Sequence, residues 1–373
     1  MRSPIDIIKN AALAKALRKK LQARRIKMLR QKALAGEALP TPKGLVFEPT
    51  QRCNLSCIMC CHRQHHTEAS CPEMNTDAAI EFIKILKGQH DFKTIGFIGS
   101  EPFARGDLED LLKAAVALKM DVSVQTNSTL LDEGRIKIWS RYKENIRNFG
   151  ASLEGVAGVD DSIRLGKDVF NRARHGIELA VKARLPVTVS ILIMDSNRER
   201  IPELIELLSD LEVRSMDVSL VVNHSRADIE ETARLSGADV KDICITSKPE
   251  LEYKTPADVL FDDLKKGLAI GGSYGLRTST SPDGFLEHYR DIRDGSIRDK
   301  RQLTCGALDT IRIDPSGRLI HCQHFRQSFG DLRKLKLKEA WNSKEYRSFR
   351  KKLMKENLFP ICVDCYRMKV LDP

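Results

Sequence analysis

Three cysteines in one short loop constrain this chain more than any other feature of its sequence. Cys53, Cys57 and Cys60 have the spacing C-x3-C-x2-C, and they follow a short apolar segment, Leu45 to Glu48, that is typical of a strand. Thiolates at this spacing can hold three irons of a 4Fe–4S cluster, which normally takes four cysteine ligands. The fourth iron would then be open to another ligand.

A zinc site is the alternative interpretation of the same loop. One histidine with three cysteines is a standard ligand set for zinc, and His62, His65 and His66 follow the cysteines closely. A short motif needs structural context before it identifies a site, so both metals remain open on the spacing alone.

Size and composition indicate a globular chain with one large and one smaller domain. The chain has 373 residues, of which 42% are apolar and 30% are charged. No stretch approaches the roughly 18 apolar residues of a membrane-spanning helix, and the charged N-terminus lacks a secretory signal. We therefore expect a cytoplasmic protein. In that compartment the ten cysteines indicate metal binding or catalysis rather than disulfides.

The first 43 residues hold most of the net charge. They contain twelve Lys/Arg and two Asp/Glu, whereas the whole chain has a formal charge of +11. A capping box at Ser3 to Asp6 and apolar residues at helical spacing predict a basic amphipathic helix that ends near Ala35. The apolar residues of this pattern are Leu13, Leu17, Leu21 and Met28.

Such a helix has three plausible roles. It could pack on the protein with a solvated positive face, dock an acidic electron donor such as flavodoxin or ferredoxin, or lie on an anionic membrane surface. A nucleic-acid partner is not expected, because no aromatic stacking surface accompanies the basic residues.

From Gly44 onward, short apolar runs alternate with helical stretches, which predicts βα units and a parallel sheet. One helix is marked by Thr76 as its predicted N-cap and by Gly88 as its predicted stop. The predicted strands are Leu45 to Glu48, Thr94 to Ile98, Val122 to Thr126, Asn148 to Leu153, Val187 to Ile193 and Met216 to Val222.

The run Cys53-Asn-Leu-Ser-Cys57 resembles the radical S-adenosylmethionine (SAM) enzymes. The resemblance implies an α/β fold built on a partial (β/α)6 barrel. It also implies that SAM chelates the open iron. One electron would then cleave SAM to methionine and a 5′-deoxyadenosyl radical, which takes a hydrogen atom from an unactivated carbon.

Further residues that match this family follow the predicted strands, at the end of a barrel where active residues lie. Gly99-Ser100-Glu101-Pro102 looks like the family's Gly-Gly-Glu-Pro motif, which receives the methionine ammonium, with Ser100 in place of the second glycine. The resemblance implies that SAM is bound by Gly99, Ser100, Glu101, Pro102, Asn127, Ser152, Glu154 and Arg164.

A second set of cysteines occupies the C-terminal part of the chain. Its members surround a hairpin predicted from Ile311 to His321, with a turn at Asp314 to Gly317. The pattern resembles the twitch subset of SPASM-type domains and implies one auxiliary 4Fe–4S cluster, with a zinc ribbon as the alternative. The four cysteines are Cys305, Cys322, Cys362 and Cys365.

Four thiolates for four irons leave no open position, so the auxiliary cluster is expected to move electrons rather than bind substrate. A similar cysteine pattern occurs in a family dehydrogenase that oxidises a cyclitol hydroxyl. Cys61, Cys71 and Cys244 remain unassigned and are expected to be small buried or incidental thiols. Some epimerases of the family return a hydrogen atom from a cysteine, which keeps this role open for Cys244.

These predictions divide the chain into four parts. They are a basic helix at 1–43, a radical SAM partial barrel at 44–222, a connecting or substrate segment at 223–304, and a small α+β auxiliary-cluster domain at 305–373. We expect a radical SAM oxidoreductase that acts on a hydroxyl-bearing sugar or cyclitol. The alternatives are epimerisation or bond formation on a peptide or sugar, and a non-catalytic zinc-binding interaction protein.

Overall fold

The structure, a computed structural model, describes residues 4–64, 72–282 and 285–371, and only the backbone of 4–16, 18, 19, 63 and 64. Its strands are β1 Gly44–Phe47, β2 Thr94–Phe97, β3 Asp121–Thr126, β4 Ile146–Ser152, β5 Val187–Ile193, β6 Ser215–Leu220, β7 Arg277–Ser281, β8 Gln302–Cys305, β9 Ile311–Ile313, β10 Arg318–Ile320, β11 Ser328–Asp331 and β12 Met368–Leu371.

Helices precede the sheet, cover it and close the chain. They are α1 Pro4–Ala35, α2 Thr76–Gln89, α3 Leu108–Ala117, α4 Glu133–Ser140, α5 Val159–Arg164, α6 Val169–Lys182, α7 Ile201–Asp210, α8 Arg226–Ser236, α9 Ala257–Ser273, α10 Tyr289–Arg293, α11 Ile297–Lys300, α12 Leu337–Trp341 and α13 Lys344–Lys355. None of the helices in the described ranges is both long enough and apolar enough to cross a bilayer.

The large sheet has the strand order β11-β10-β9-β1-β2-β3-β4-β5-β6-β7. Its strands run parallel from β9 through β1 to β7, and β10 and β11 add antiparallel pairs at one edge. The predicted fold class, a parallel α/β partial barrel followed by a smaller C-terminal domain, is confirmed. All six predicted strands are present, and β5 has the predicted bounds.

Strand β7 was not predicted from the sequence. It consists of Arg277-Thr-Ser-Thr-Ser281 and is largely exposed, so it lacks the apolar run that marks a buried parallel strand. It pairs with β6 at the edge of the sheet, where the hydroxyl groups of Ser279 and Ser281 donate hydrogen bonds to Asp217. The segment expected to connect two domains therefore contributes a strand to the barrel sheet.

The start of α2 differs from the prediction by one residue. Asn75, not Thr76, is the N-cap, and its side-chain oxygen accepts a hydrogen bond from the backbone N–H of Ala78 at 2.9 Å. The hydroxyl of Thr76 donates to Asp107 instead. The helix also continues one residue beyond the predicted stop, Gly88, to Gln89.

Helix α1 ends at Ala35, next to Gly36, whose φ of +74° favours glycine. The predicted apolar stripe is wrong at Leu17 and Leu21, which are 56% and 54% exposed. Leu13 lies outside the described side chains. The buried face begins further along, at Ile26 and Leu29, where α1 packs against α13 and β8. Among the described side chains that precede Ile26, both charged and apolar ones are exposed.

The C-terminal domain is joined to the barrel through a shared sheet. Strand β9 pairs in parallel with β1, and the β9–β10 hairpin has the predicted turn, with the Gly317 N–H donating to the Asp314 carbonyl at 3.0 Å. Glu48, directly after β1, pairs with Arg312 at 2.6 Å and Arg326 at 2.8 Å. Burial raises the pKa of Glu48, but the two guanidinium groups outweigh it and lower the pKa to about 2.

Candidate active site

The carboxyl ends of the central parallel strands surround a cavity of about 270 Å³. In a parallel barrel this end is where loops can bring polar groups together. Of the residues predicted to bind the first cluster or SAM, those that line the cavity are Cys53, Cys57, Cys60, Gly99, Ser100, Asn127, Ser152, Glu154 and Arg164.

The loop after β1 brings its three predicted thiols to one wall of this cavity. The loop is held by the Ile58 N–H, which donates to the Ile163 carbonyl at 2.9 Å, and by the Cys60 N–H, which donates to the Cys57 carbonyl at 3.2 Å. Burial raises the pKa of Cys57 to about 12. Three sulfur donors around one cavity, with no disulfide between them, fit a cluster held by three cysteines.

Glu101 and Pro102 lie behind the cavity wall rather than in it. Glu101 is fully buried, and its carboxylate accepts hydrogen bonds from the hydroxyl of Thr126 at 2.8 Å and the N–H groups of Phe103 and Asn127 at 3.0 and 2.6 Å. Burial raises the pKa of Glu101 despite these donors. Glu101 therefore connects the tips of β2 and β3.

Arg164 joins the next pair of strand tips. It is 1% exposed, and its guanidinium donates to the Ser152 carbonyl at 2.8 Å and to the Asn127 carbonyl. Asp160 balances its charge at 3.4 Å. Arg164 also lines the cavity, and its predicted contact with SAM stays a prediction.

Glu154 is a buried carboxyl in the same wall. One of its oxygens accepts a hydrogen bond from the Leu192 N–H at 2.7 Å, and burial raises its pKa to about 8. Its neighbour Ser152 accepts a hydrogen bond from Gln125 at 3.1 Å. Gln125 also lines the cavity. Its position at the tip of β3 was the one sequence signal that could have identified it as a site residue.

The four C-terminal cysteines line a second cavity, which is smaller than the cavity at the strand ends. We call the cavity at the strand ends the larger cavity and this one the smaller cavity. The pairing of β8 with β12 sets Met368 opposite Cys305, which brings Cys305 close to the C-x2-C segment. Burial raises the pKa of Cys305 to about 12 and those of Cys322 and Cys365 to about 11, and neighbouring thiolates add to each shift. Four thiols around one space, two from buried and two from partly buried residues, fit a cluster with no open iron.

One layer of side chains separates the two cavities. Gln323, His324 and Tyr366 line both of them, and the Tyr366 hydroxyl donates a hydrogen bond to the Gln323 side-chain oxygen at 3.1 Å. We call these three residues the shared wall. No motif marks them, because they come from two loops that meet only in the folded chain.

The unassigned cysteines occupy different places. Cys61 lines the first cavity, whereas Cys244 is fully buried and is not among the residues that line it. Cys71 lies outside the described residues. The role of Cys244 as a hydrogen donor stays a prediction.

Two family models match this chain. The model of the radical SAM superfamily matches residues 47–208, and a SPASM model, described as an iron–sulfur cluster-binding domain, matches residues 305–366. The first match runs from the last residue of β1 into α7. The second contains all four C-terminal cysteines.

Several curated proteins are similar over most of the chain. An AdoMet-dependent heme synthase from Methanosarcina barkeri is 24% identical over 342 residues, which are 88% of this chain and 90% of that protein. A tungsten-containing aldehyde ferredoxin oxidoreductase cofactor-modifying protein from Pyrococcus furiosus is 28% identical, covering 87% of each chain. A PqqA peptide cyclase from Granulibacter bethesdensis is 23% identical, covering 72% and 69%.

Solved structures share the fold at lower sequence identity. Streptococcus suis SuiB superimposes with a TM-score of 0.61 at 16% identity, covering 91% of this chain and 76% of SuiB. The structure titled native anSMEcpe with bound AdoMet has a TM-score of 0.55 at 14% identity, covering 82% of each chain. These likenesses support the architecture described above.

Proposed function

Because this chain belongs to the radical SAM superfamily and carries a SPASM-type iron–sulfur domain, we propose that it catalyses the two-electron oxidation of a hydroxyl-bearing small molecule of the sugar or cyclitol type. The radical SAM domain takes a 4Fe–4S cluster and SAM, and the SPASM domain takes auxiliary iron–sulfur. When bound, these groups supply a 5′-deoxyadenosyl radical for hydrogen abstraction and an acceptor for the remaining electron.

In this proposal the cysteines divide into two ligand sets. Cys53, Cys57 and Cys60 hold the SAM-binding cluster, since they line the larger cavity together. A second set of four cysteines holds a single auxiliary cluster, with one thiolate on each iron. These cysteines are Cys305, Cys322, Cys362 and Cys365. The larger cavity is then the place for SAM and substrate.

The shared wall is the observation that carries the oxidation proposal. Gln323, His324 and Tyr366 are in contact with both cavities, so a substrate in the larger one lies a single side-chain layer from the auxiliary thiols. That arrangement suits an oxidation in which the substrate radical passes one electron to the auxiliary cluster, which contacts neither the substrate nor SAM.

Protein groups at the cavity account for the remaining proton. The Nδ1–H of His324 donates to the Cys244 carbonyl at 3.0 Å, which leaves Nε2 as the acceptor nitrogen, and the Gln323 amide donates a hydrogen bond to it at 3.2 Å. We propose that the substrate hydroxyl replaces the Gln323 amide as hydrogen-bond donor to Nε2 of His324 and passes its proton to that nitrogen. Glu154, protonated at neutral pH because of its raised pKa, can donate a hydrogen bond to a ribose hydroxyl of SAM.

A peptide is the second candidate substrate. PqqA peptide cyclases are among the similar proteins, and one SuiB structure is bound to its precursor peptide. A surface groove of about 450 Å³ shares Cys60, Cys61 and Thr246 with the larger cavity and would provide room for an extended substrate. The family match covers the barrel as well as the cysteines, which favours an enzyme over a non-catalytic zinc-binding protein.

The test is to incubate the reconstituted protein anaerobically with SAM, dithionite and a panel of cyclitols, amino sugars and peptides in deuterium oxide. We expect 5′-deoxyadenosine formation above the substrate-free rate with a polyol, and a product two mass units lighter that carries no deuterium at carbon. Epimerisation would instead leave the mass unchanged apart from deuterium, and would depend on a thiol donor. We expect Cys244→Ala to form the same product, two mass units lighter and without deuterium at carbon.

The electron for SAM cleavage needs a donor protein, and we propose an acidic one, flavodoxin or ferredoxin, that docks on α1. Lys20, Arg24 and Lys27 are exposed on this helix. Changing all three to glutamate should slow flavodoxin-supported turnover at low salt and leave dithionite-supported turnover unchanged. If flavodoxin-supported turnover persists but binding to anionic vesicles is lost, α1 is a membrane contact instead.

A further inference from the structure

A third group of metal-binding side chains lies beside the larger cavity, apart from the seven cysteines assigned above. The ligand atoms of Cys61, His62 and Cys244 all lie within 4.8 Å of one another, and Cys244 Sγ is 4.0 Å from Nδ1 of His62. His62 and Cys244 are buried, and Cys61 is partly exposed.

The fold holds this group in place from distant parts of the chain. The backbone N–H of Cys244 donates to the His324 carbonyl at 2.8 Å, and its Sγ donates to the Cys61 carbonyl at 3.1 Å. A β-bridge between Ile243 and Phe325 supports the same segment. Residues 183 positions apart are thus brought together at fixed backbone positions.

We propose that Cys61, His62 and Cys244 bind one soft divalent cation, with zinc as the expected ion. Two thiolates and an imidazole are a normal zinc ligand set, with Zn–S near 2.3 Å and Zn–N near 2.0 Å. Tetrahedral angles at those lengths place the ligand atoms roughly 3.5–3.8 Å apart. Small side-chain rotations therefore suffice to close the present spacing. Binding releases the two thiol protons to solvent and changes no oxidation state.

The fourth position of the cation faces the larger cavity. Cys61 and His62 both line that cavity, whereas Cys244 lies behind them. Three protein ligands with an open fourth position are typical of catalytic rather than structural zinc sites. The open position would take an oxygen, nitrogen or sulfur atom of the substrate. This role in substrate binding rests on the proposed function, but binding of the cation itself is independent of it.

Zinc K-edge X-ray absorption tests this site in the holoenzyme, because the clusters contribute no signal at that edge. After anaerobic reconstitution with iron and sulfide, the protein is equilibrated with Zn(II) alone and desalted. We expect about one zinc per chain with two sulfur ligands and the rest nitrogen or oxygen. Cys244→Ser, which keeps the buried volume, should weaken zinc binding by at least roughly 100-fold.

Cys71→Ser is the matched control and should keep its zinc, since Cys71 belongs to none of the proposed ligand sets. His62→Ala is a second variant that should lose zinc while the iron content stays unchanged, which shows that the chain is folded. The proposal is overturned by absence of zinc, by zinc with three or four sulfur ligands, by a Cys61–Cys244 disulfide under the same conditions, or by full zinc binding in Cys244→Ser.

Discussion

Glu154→Gln should change how the stability of the protein depends on pH. Glu154 is 3% exposed, and burial raises its pKa from 4.5 to about 8. The folded protein therefore holds a proton on this carboxyl in a pH range where the unfolded chain has lost it. Glutamine has nearly the same shape and can still accept the hydrogen bond from the Leu192 N–H.

The magnitude follows from linkage. Between the unfolded and folded pKa values the folded state binds one more proton, so the free energy of unfolding falls by about 1.4 kcal/mol for each pH unit gained. From pH 5.5 to pH 8, allowing for half-ionisation at the upper limit, the loss is about 3 kcal/mol. This contribution to the free energy of unfolding is fully present below the unfolded pKa of 4.5 and is lost as pH rises through the folded pKa.

The assay is urea unfolding of the cluster-free protein under reducing conditions at several pH values from 5.5 to 8. The stability difference between wild type and Glu154→Gln should change by about 3 kcal/mol over this range, with the variant gaining at high pH. Glu203→Gln is the matched control. Because the exposed Glu203 pairs with Arg200 and has a lowered pKa, it stays ionised throughout and should add no slope. Parallel curves for wild type and Glu154→Gln would refute a protonated, buried Glu154.

Three further outcomes follow from the contacts described above. Cys305→Ala combined with Cys322→Ala should lower the iron content from about eight to about four per chain and stop net turnover, while SAM cleavage continues; unchanged turnover would contradict the electron-acceptor role. Glu48→Gln leaves two buried guanidinium groups without a full counter-charge and should cost about 3–5 kcal/mol in urea unfolding. Leu29→Ala should cost about 2–5 kcal/mol, whereas Leu21→Ala on the exposed part of α1 should change stability by less than about 0.5 kcal/mol.

The features that could be predicted from the sequence are those with a local physical cause. In strand β5 every second residue from Val187 to Ile193 is buried and apolar, and this alternation is a local signal of a strand. The hairpin turn needs a glycine at Gly317, where φ is +89°. Cluster cysteines are visible because one loop must supply several ligands at short spacing.

The features that could not be predicted depend on contacts between distant segments. Strand β7 is a polar edge strand, so its pairing with β6 leaves no apolar signal in the sequence. Glu101 and Arg164 matched a family pattern, yet the structure engages both with strand tips, which only the folded geometry reveals. The shared wall combines residues near Gln323 with Tyr366, and nothing in either segment indicates that they meet.

Reductive cleavage of SAM is the most direct test of the central claim, because it needs no knowledge of the substrate. The anaerobically reconstituted wild-type protein, given dithionite and SAM, should form 5′-deoxyadenosine and methionine. Cys57→Ala should form neither, and Cys305→Ala should form both. A wild-type chain that contains zinc at its cysteines, holds no labile sulfide and leaves SAM intact would contradict the assignment of Cys53, Cys57 and Cys60 to a SAM-cleaving cluster.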